Sequence, residues 1–197
     1  VKFSYEVQDA PLGLAHGLKL AKDFVRGGAA STAAKVGQAS SVLGEGEGEG
    51  ATSATASVLG EKCALILGDN LFTDSFKKDF EEFERSGEGA VIFAKEIENP
   101  ERFGVVEFDK NMDVVSIEEK PRAPKSKYAQ TGLYLYDEHV FDYIEMLKPS
   151  ARGELEITDL NLCYLKNKQL KVELMGRGFA WLDTGTHESL LEASQFI

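Results

Sequence analysis

The chain has 197 residues, 43% of them apolar, which supports one sizeable domain with a real core and is marginal for two. Its 22 Lys and Arg against 33 Asp and Glu give a net charge of −11, which argues against nucleic acid as a partner because such binders carry a basic footprint. No apolar run approaches the roughly 18–20 residues that cross a bilayer, and the first residues lack the basic-then-apolar layout of a signal peptide, so no membrane partner is expected.

Lys2 to Val7 alternates apolar and polar residues and reads as a strand. A turn-rich loop, Gln8 to Gly13, leads into a helix marked by Leu14, Leu18, Ala21 and Val25. Gly27–Gly60 then differs in kind. Of its 34 residues, 24 are Gly, Ala, Ser or Thr; it has no aromatic residue, and Ser-Val-Leu-Gly-Glu occurs at Ser41–Glu45 and again at Ser57–Glu61. Such a composition has much entropy to lose and little to bury, so residues 27–60 read as a low-complexity insertion or linker.

Cys63 to Leu67 is a continuous apolar run that suits a strand buried on both faces, and it ends in Gly68-Asp69-Asn70. Phe76, Phe80 and Phe83 mark one face of the next helix, and Ala90 to Ala94 is a second buried run. Val105–Phe108 and Val114–Glu118 flank a hairpin turn at Asp109–Asp113. Thr131–Tyr136 is a strand, Val140 to Leu147 a helix, and Glu156–Leu165 a helix. Leu170–Met175 and Phe179–Leu182 are strands, and Thr186 is placed to N-cap a last helix reaching about Phe196. Buried strands alternating with amphipathic helices around a central hairpin predict an α/β fold, a mixed sheet with helices on both faces. Cys63 and Cys163 are too few and too far apart for a disulfide framework or a zinc site; each reads as a buried free thiol in a reducing, cytoplasmic compartment.

Ligands of such sheets gather at the carboxyl ends of strands, which makes Asp69 and Asp183 the first candidates for chemistry. Each alone reads as a turn aspartate. Together they suit Mg²⁺, which takes few protein oxygens and completes its shell with water and substrate phosphates. Glu119 and Lys120 end a strand before Pro121. They read either as exposed edge charge with a proline stop or as a carboxylate for sugar hydroxyls beside a cation for phosphate. Arg152 precedes a helix and reads either as part of its entry or as a phosphate clamp. His16, His139 and His187 show no metal-ligand spacing, and the chain carries neither G-x-x-x-x-G-K-[ST] nor G-x-G-x-x-G before a helix.

Five motifs occur in order: Leu67-Gly68-Asp69-Asn70, Pro100 to Val106, Glu118-Glu119-Lys120-Pro121, Lys148 to Asp159, and Ala180 to Thr186. Together they resemble the glucose-1-phosphate thymidylyltransferases of the sugar nucleotidyltransferase family. The likeness runs from Glu61 to Ile197 and over Val1 to about Val25, and the Ser-Ala-Arg-Gly-Glu-Leu-Glu-Ile-Thr-Asp match favours the thymidylyl branch over its uridylyl and adenylyl relatives. The resemblance implies a three-layer, Rossmann-like nucleotidyltransferase domain over residues 1–197, in a setting of dTDP-rhamnose biosynthesis. The implied reaction takes dTTP and glucose 1-phosphate to dTDP-glucose and pyrophosphate. By the same resemblance, Asp69 and Asp183 hold Mg²⁺, Gln8 and Gly13 read the thymine, and Asn70, Gly104 and Glu119 bind glucose. Lys120 and Arg152 surround the sugar phosphate, and Gln130 stands at a substrate-contacting position that is usually Val. A homo-oligomer is also implied.

The family's opening G-G-x-G-T-R-L segment, which cradles the triphosphate, has no counterpart in this sequence, so the domain is expected to be incomplete at its N-terminus. That leaves a second reading open: a catalytically incomplete sugar-phosphate or nucleotide-sugar binding module, or an assembly subunit, of the same fold. It also predicts an unpaired edge on the central sheet, for Gly27–Gly60 or another chain to cover.

Overall fold

The computed structural model describes residues 2–8, 10–26, 32–38, 54–59, 62–73, 75–87 and 89–196. In chain order these form β1 (Lys2–Gln8), α1 (Leu14–Leu20), α2 (Lys22–Arg26), β2 (Thr32–Gln38), β3 (Ala54–Leu59), β4 (Lys62–Leu67), β5 (Asn70–Phe72) and α3 (Lys77–Ser86). Then come β6 (Ala90–Glu96), a 3₁₀ turn at Pro100–Arg102, β7 (Gly104–Phe108), β8 (Val114–Glu119), β9 (Tyr128–Tyr136) and α4 (Val140–Met146). The last elements are α5 (Ile157–Lys166), β10 (Leu170–Met175), β11 (Trp181–Asp183) and α6 (His187–Phe196).

Nine strands make one mixed sheet in the order β1-β2-β3-β4-β9-β6-β10, with the β7–β8 hairpin attached beside β9. β1 and β2 are parallel, as are β6 and β10; the other neighbours are antiparallel. Where composition predicts a linker, the described residues of Gly27–Gly60 include β2 and β3. β3 pairs with β4 from Ala54↔Leu67 to Leu59↔Lys62, so that edge of the sheet is covered from within the chain.

Helices cover both faces, as the alternation of elements predicts. On one face Leu18, Val140, Phe141, Ile144, Leu160 and Tyr164 pack against Leu65, Ile92, Tyr134 and Tyr136. Tyr134, Tyr136 and Tyr164 stack in sequence, with ring centroids 6.2 and 5.6 Å apart. On the other face Phe83, Phe93, Leu133, Leu135 and Met175 form a smaller core with Phe76 and Phe80 around it. β9 is buried along almost its whole length, because both layers press on it. Cys63 lies in the first core, where burial pushes its thiol up to about 12, whereas Cys163 is only half-buried, which corrects the expectation of two buried thiols. Among the described residues no helix is long and apolar enough to cross a membrane.

Three local results refine the predicted elements. The first helix breaks at Ala21 into α1 and α2. The strand expected over Phe179–Leu182 begins at Trp181 and leaves the main sheet to pair with the short β5, so Asn70 lies opposite Asp183 and Phe72 opposite Trp181. Thr186 does cap α6: its Oγ1 accepts from the Ser189 N–H at 3.1 Å, and Ser189 Oγ accepts from the Thr186 N–H at 3.1 Å, a reciprocal capping box.

Candidate active site

The β5–β11 ribbon brings the first pair of predicted residues together. Asp69 sits in the turn after β4, and its carbonyl accepts from both the N–H (2.7 Å) and the Oγ1 (2.8 Å) of Thr184, just beyond β11. The two carboxylates then converge on Gly185. A Cβ built at Gly185 would stand 3.2 Å from Asp69 Oδ2 and 3.3 Å from Asp183 Oδ1, so any larger residue would crowd the space between them. Burial pushes the Asp69 carboxyl above the usual carboxylate range; the Asn70 amide pulls the other way, and the negative charge of Asp183 adds to the rise. Arg102 reaches Asp183 Oδ2 at 3.9 Å. Among the described residues no group of three or more His, Cys, Asp or Glu gathers as a metal cluster. Two hard carboxylates without thiol or imidazole fit Mg²⁺, which keeps most of its shell for water and phosphate, and they fit a softer ion poorly.

Asn70 locks this ribbon in place. Its Nδ2 donates to Asp69 Oδ1 (2.9 Å), while its Oδ1 accepts from the Gly132 N–H (2.9 Å) and from Trp181 Nε1 (2.6 Å). Gly132 lies in β9 where the register with β6 slips, two residues beyond Gln130, so the same side chain joins the carboxylate end to the second part of the site. Phe103 makes a second link, edge-on to Trp181 with centroids 5.0 Å apart.

The second part gathers Gly104, Glu119, Lys120, Gln130 and Arg152. The β7–β8 register sets Gly104 opposite Glu119. Lys120 follows with a left-handed φ of 41°, and its N–H donates to the Phe103 carbonyl at 3.1 Å. Arg152, in the loop before α5, makes a two-pronged pair with Glu156 (Nε to Oε1 3.1 Å, Nη2 to Oε2 2.8 Å). The same guanidinium lies 3.5 Å from Glu119 and 3.7 Å from Glu154. The Glu156 bonds, set against partial desolvation, hold the Arg152 guanidinium even more firmly protonated than usual. Burial raises the Glu119 carboxyl, with the Thr158 hydroxyl pulling it down, Glu156 pushing it up, and Lys120 and Arg152 pulling it down.

Gln8 and Gly13 are held apart from these groups but tied to them. Gly13 has a φ of 94°, which suits glycine, and a Cβ there would collide with the Leu155 carbonyl at 2.4 Å. The Leu155 N–H donates to the Leu12 carbonyl (2.8 Å), and the Ala15 N–H to the Leu155 carbonyl (3.2 Å). The loop carrying Gly13 is therefore zipped to the loop carrying Arg152. Gln8, at the end of β1, is buried; its Nε2 donates to the Gly13 carbonyl (3.1 Å) and meets His16 Nδ1 (2.9 Å).

Arg102, Glu156, Thr158 and Asn161 complete these contacts and are not singled out by residue type. Glu156 and Thr158 lie inside the Lys148–Asp159 motif and Arg102 inside the Pro100–Val106 motif, so their signal was position within a motif rather than a spacing that dictates chemistry.

Residues 31–197 match the family model described as Nucleotidyl transferase. The chain is 43% identical over 198 residues to the glucose-1-phosphate thymidylyltransferase of Neisseria meningitidis serogroup A, covering 100% of this chain and 57% of that protein. It is also 43% identical over 202 residues to the enzyme of that name from Xanthomonas campestris pv. campestris, covering 100% of this chain and 56% of the relative. The chain thus spans little more than half the length of these relatives. A putative glucose-1-phosphate thymidylyltransferase from Bacillus anthracis, solved in complex with a sucrose, superposes with a TM-score of 0.73 at 40% identity, covering 100% of this chain and 65% of that one. A UDP-glucose pyrophosphorylase complexed with UDP-glucose shares the fold at 19% identity, with a TM-score of 0.70 over 98% of this chain and 65% of its own.

Proposed function

Because this chain belongs to the nucleotidyl transferase family, we propose that it serves the transfer of a thymidylyl group, making dTDP-glucose and pyrophosphate from dTTP and glucose 1-phosphate. The observation that carries the reading is the meeting of Asp69 and Asp183 across Gly185, beside a second cluster built from carboxylate and guanidinium. The thymidylyl preference and the sugar are supported by the names of the relatives at 43% identity.

In this reading the sugar phosphate attacks the α-phosphorus of the nucleotide in line with the departing pyrophosphate, so the protein's share is positioning and charge. Asp69 and Asp183 would hold Mg²⁺, which when bound supplies charge neutralisation at the nucleotide phosphates. Asn70 orients the Asp69 carboxylate through its Nδ2. Gln8 and Gly13 face the base. Glu119 accepts from the sugar hydroxyls in the cradle formed with Gly104, and Lys120 and Arg152 hold the sugar phosphate. Arg152 reaches that phosphate by exchanging part of its contact with Glu119 and Glu154, the two longer of its three pairs. The proposal extends to a cytoplasmic homo-oligomer, supported by the free thiols and by Leu190, Leu191 and Phe196 exposed on α6.

Pyrophosphate release from dTTP and glucose 1-phosphate with Mg²⁺, measured on this chain, tests the reading. Release is the expected result. Glucose 1-phosphate binding without release would favour the sugar-phosphate binding module, and neither binding nor release would overturn both.

A further inference from the structure

Four buried polar side chains run from the tyrosine core to the half-buried Glu119. Tyr136 OH donates to Asn161 Oδ1 (2.7 Å), Asn161 Nδ2 to Gln130 Oε1 (3.1 Å), Gln130 Nε2 to Thr158 Oγ1 (2.6 Å), and Thr158 Oγ1 to Glu119 Oε2. Every bond points the same way. The direction follows from the last acceptor: an ionised carboxylate only accepts, so the Thr158 hydroxyl must donate to it and is left to accept from an N–H. That sets the Gln130 amide with Nε2 toward Thr158 and Oε1 toward Asn161, which in turn presents its oxygen to Tyr136. A chain polarised in one sense strengthens each successive bond and ends its donating power on Glu119.

Gln130 is the hinge of this chain for a second reason. Its side chain is 4% exposed, and its amide fills the space over Gly104: a Cβ at residue 104 would fall 2.1 Å from Nε2 and 2.5 Å from Cδ. The glycine opposite Glu119 is therefore required by Gln130. Oε1 accepts from Asn161 and one Nε2 hydrogen goes to Thr158, which couples Gln130 to Glu119 through the Thr158 hydroxyl.

Resting on the functional reading above, we infer that Gln130 is a specificity-determining positioning residue, which through Thr158 fixes the Glu119 carboxylate so that it selects a sugar 1-phosphate by its ring hydroxyls. Thr158 holds Oε2, and before a ligand enters Arg152 stands 3.5 Å from Oε1, so the Thr158 bond keeps the carboxylate oriented when Arg152 turns toward the sugar phosphate. A site prepared in this way rejects a ligand that lacks the matching hydroxyl, because a half-buried acceptor, closed off from water by that ligand, is then left unpaired.

The test is calorimetric binding of glucose 1-phosphate, a set of its monodeoxy analogues, and inorganic phosphate to the parent chain and to Gln130→Leu, Thr158→Val and Thr158→Ser. Gln130→Leu and Thr158→Val are expected to weaken glucose 1-phosphate by ~10-fold and to lose that much discrimination against one monodeoxy analogue, with phosphate binding within ~2-fold of the parent. Thr158→Ser, which keeps the hydroxyl, is expected to restore both. A carbon-13 NMR titration of the Glu119 carboxyl in the free chain, among its neighbours Lys120, Arg152 and Glu156, gives an arm that needs no ligand. Its midpoint is expected to rise in Gln130→Leu and Thr158→Val and to stay in Thr158→Ser. Unchanged discrimination together with an unchanged midpoint in folded Gln130→Leu and Thr158→Val would overturn the proposal. If the parent binds no glucose 1-phosphate, the functional reading falls; the Glu119 midpoint then decides the role of Gln130 alone, upheld if it moves and overturned if it does not.

Discussion

Asp69 and Asp183 face each other across Gly185, and among the described residues Arg102, at 3.9 Å from Asp183, is the cation paired with either. Glu119 instead stands in a crowd: a threonine hydroxyl on one oxygen, and near the other an arginine that also pairs with Glu154 and Glu156. Asp69 thus has no paired cation among the described residues, whereas each carboxylate of the second half pairs with the single Arg152, which links the three without balancing their charge. The difference teaches which half needs something from outside. A carboxylate with no paired cation costs stability unless one arrives, whereas a hydrogen-bonded and ion-paired cluster is already held in place before any ligand binds. The first is suited to changing charge state during a reaction, the second to measuring the shape of what enters.

The largest effect should come from breaking the first half. Asp183→Asn is expected to lower pyrophosphate release by about 100-fold or more and to abolish the rise in melting temperature caused by Mg²⁺. Turnover within about 2-fold of the parent would sink the metal assignment and with it the contrast between the halves. Breaking the second half should show first in stability. Arg152→Ala leaves Glu156, whose side chain is 8% exposed, with Ser150 Oγ as its remaining side-chain donor. A loss of about 2 kcal/mol is expected in denaturant unfolding, because a nearly buried carboxylate is left unpaired. A loss below about 0.5 kcal/mol would mean that Arg152 does not stabilise the Glu156 carboxylate.

Glu119 sharpens the comparison through pH. Its carboxyl titrates above the ordinary glutamate value of 4.5, chiefly because it is buried. Between the unfolded value and the raised folded one, the folded state binds more protons, so its contribution to stability is lost as pH rises through that window. Glu119→Gln removes the dependence. The variant should be more stable than the parent above the window and equal to it below pH 4.5. Urea unfolding at several pH values measures this; a variant weaker than the parent at neutral pH would show that the Thr158, Lys120 and Arg152 contacts together outweigh desolvation.

Much of this was legible in the residues. Cys63–Leu67 and Ala90–Ala94 announce central strands because a parallel or doubly covered strand must be apolar on both sides. Asp69 and Asp183 stand out as carboxylates at strand ends. Their meeting is expected from the two strand ends and the family likeness, but the ribbon that delivers it is not legible, because β5 is three residues long and its pairing with β11 is a tertiary fact without local periodicity. β2 and β3 escaped for a different reason: Ala, Thr, Ser and Gly carry no alternation strong enough to separate a strand from a linker. The Tyr136–Asn161–Gln130–Thr158 chain was hidden since its members come from one strand and one helix far apart in sequence. Gln130 alone drew notice, as a polar residue at a position where the resembling family usually has Val.

Lys120 offers the finest test of the second half. A φ of 41° is costly for a side-chain-bearing residue, yet the chain holds one there between Glu119 and Pro121, with the N–H bonded to Phe103. Glycine adopts that conformation freely, at the cost of greater freedom in the unfolded chain, so Lys120→Gly should gain about 0.5 kcal/mol in thermal or denaturant unfolding. If Lys120 only turns the chain, that small gain is the whole effect. If it serves the phosphate, the more stable variant should bind glucose 1-phosphate several-fold more weakly, and Lys120→Arg, which keeps the charge and the strain, should bind near the parent level without gaining stability. A variant that gains stability and keeps its affinity would remove Lys120 from the site and leave Arg152 as the cation that the sugar phosphate meets.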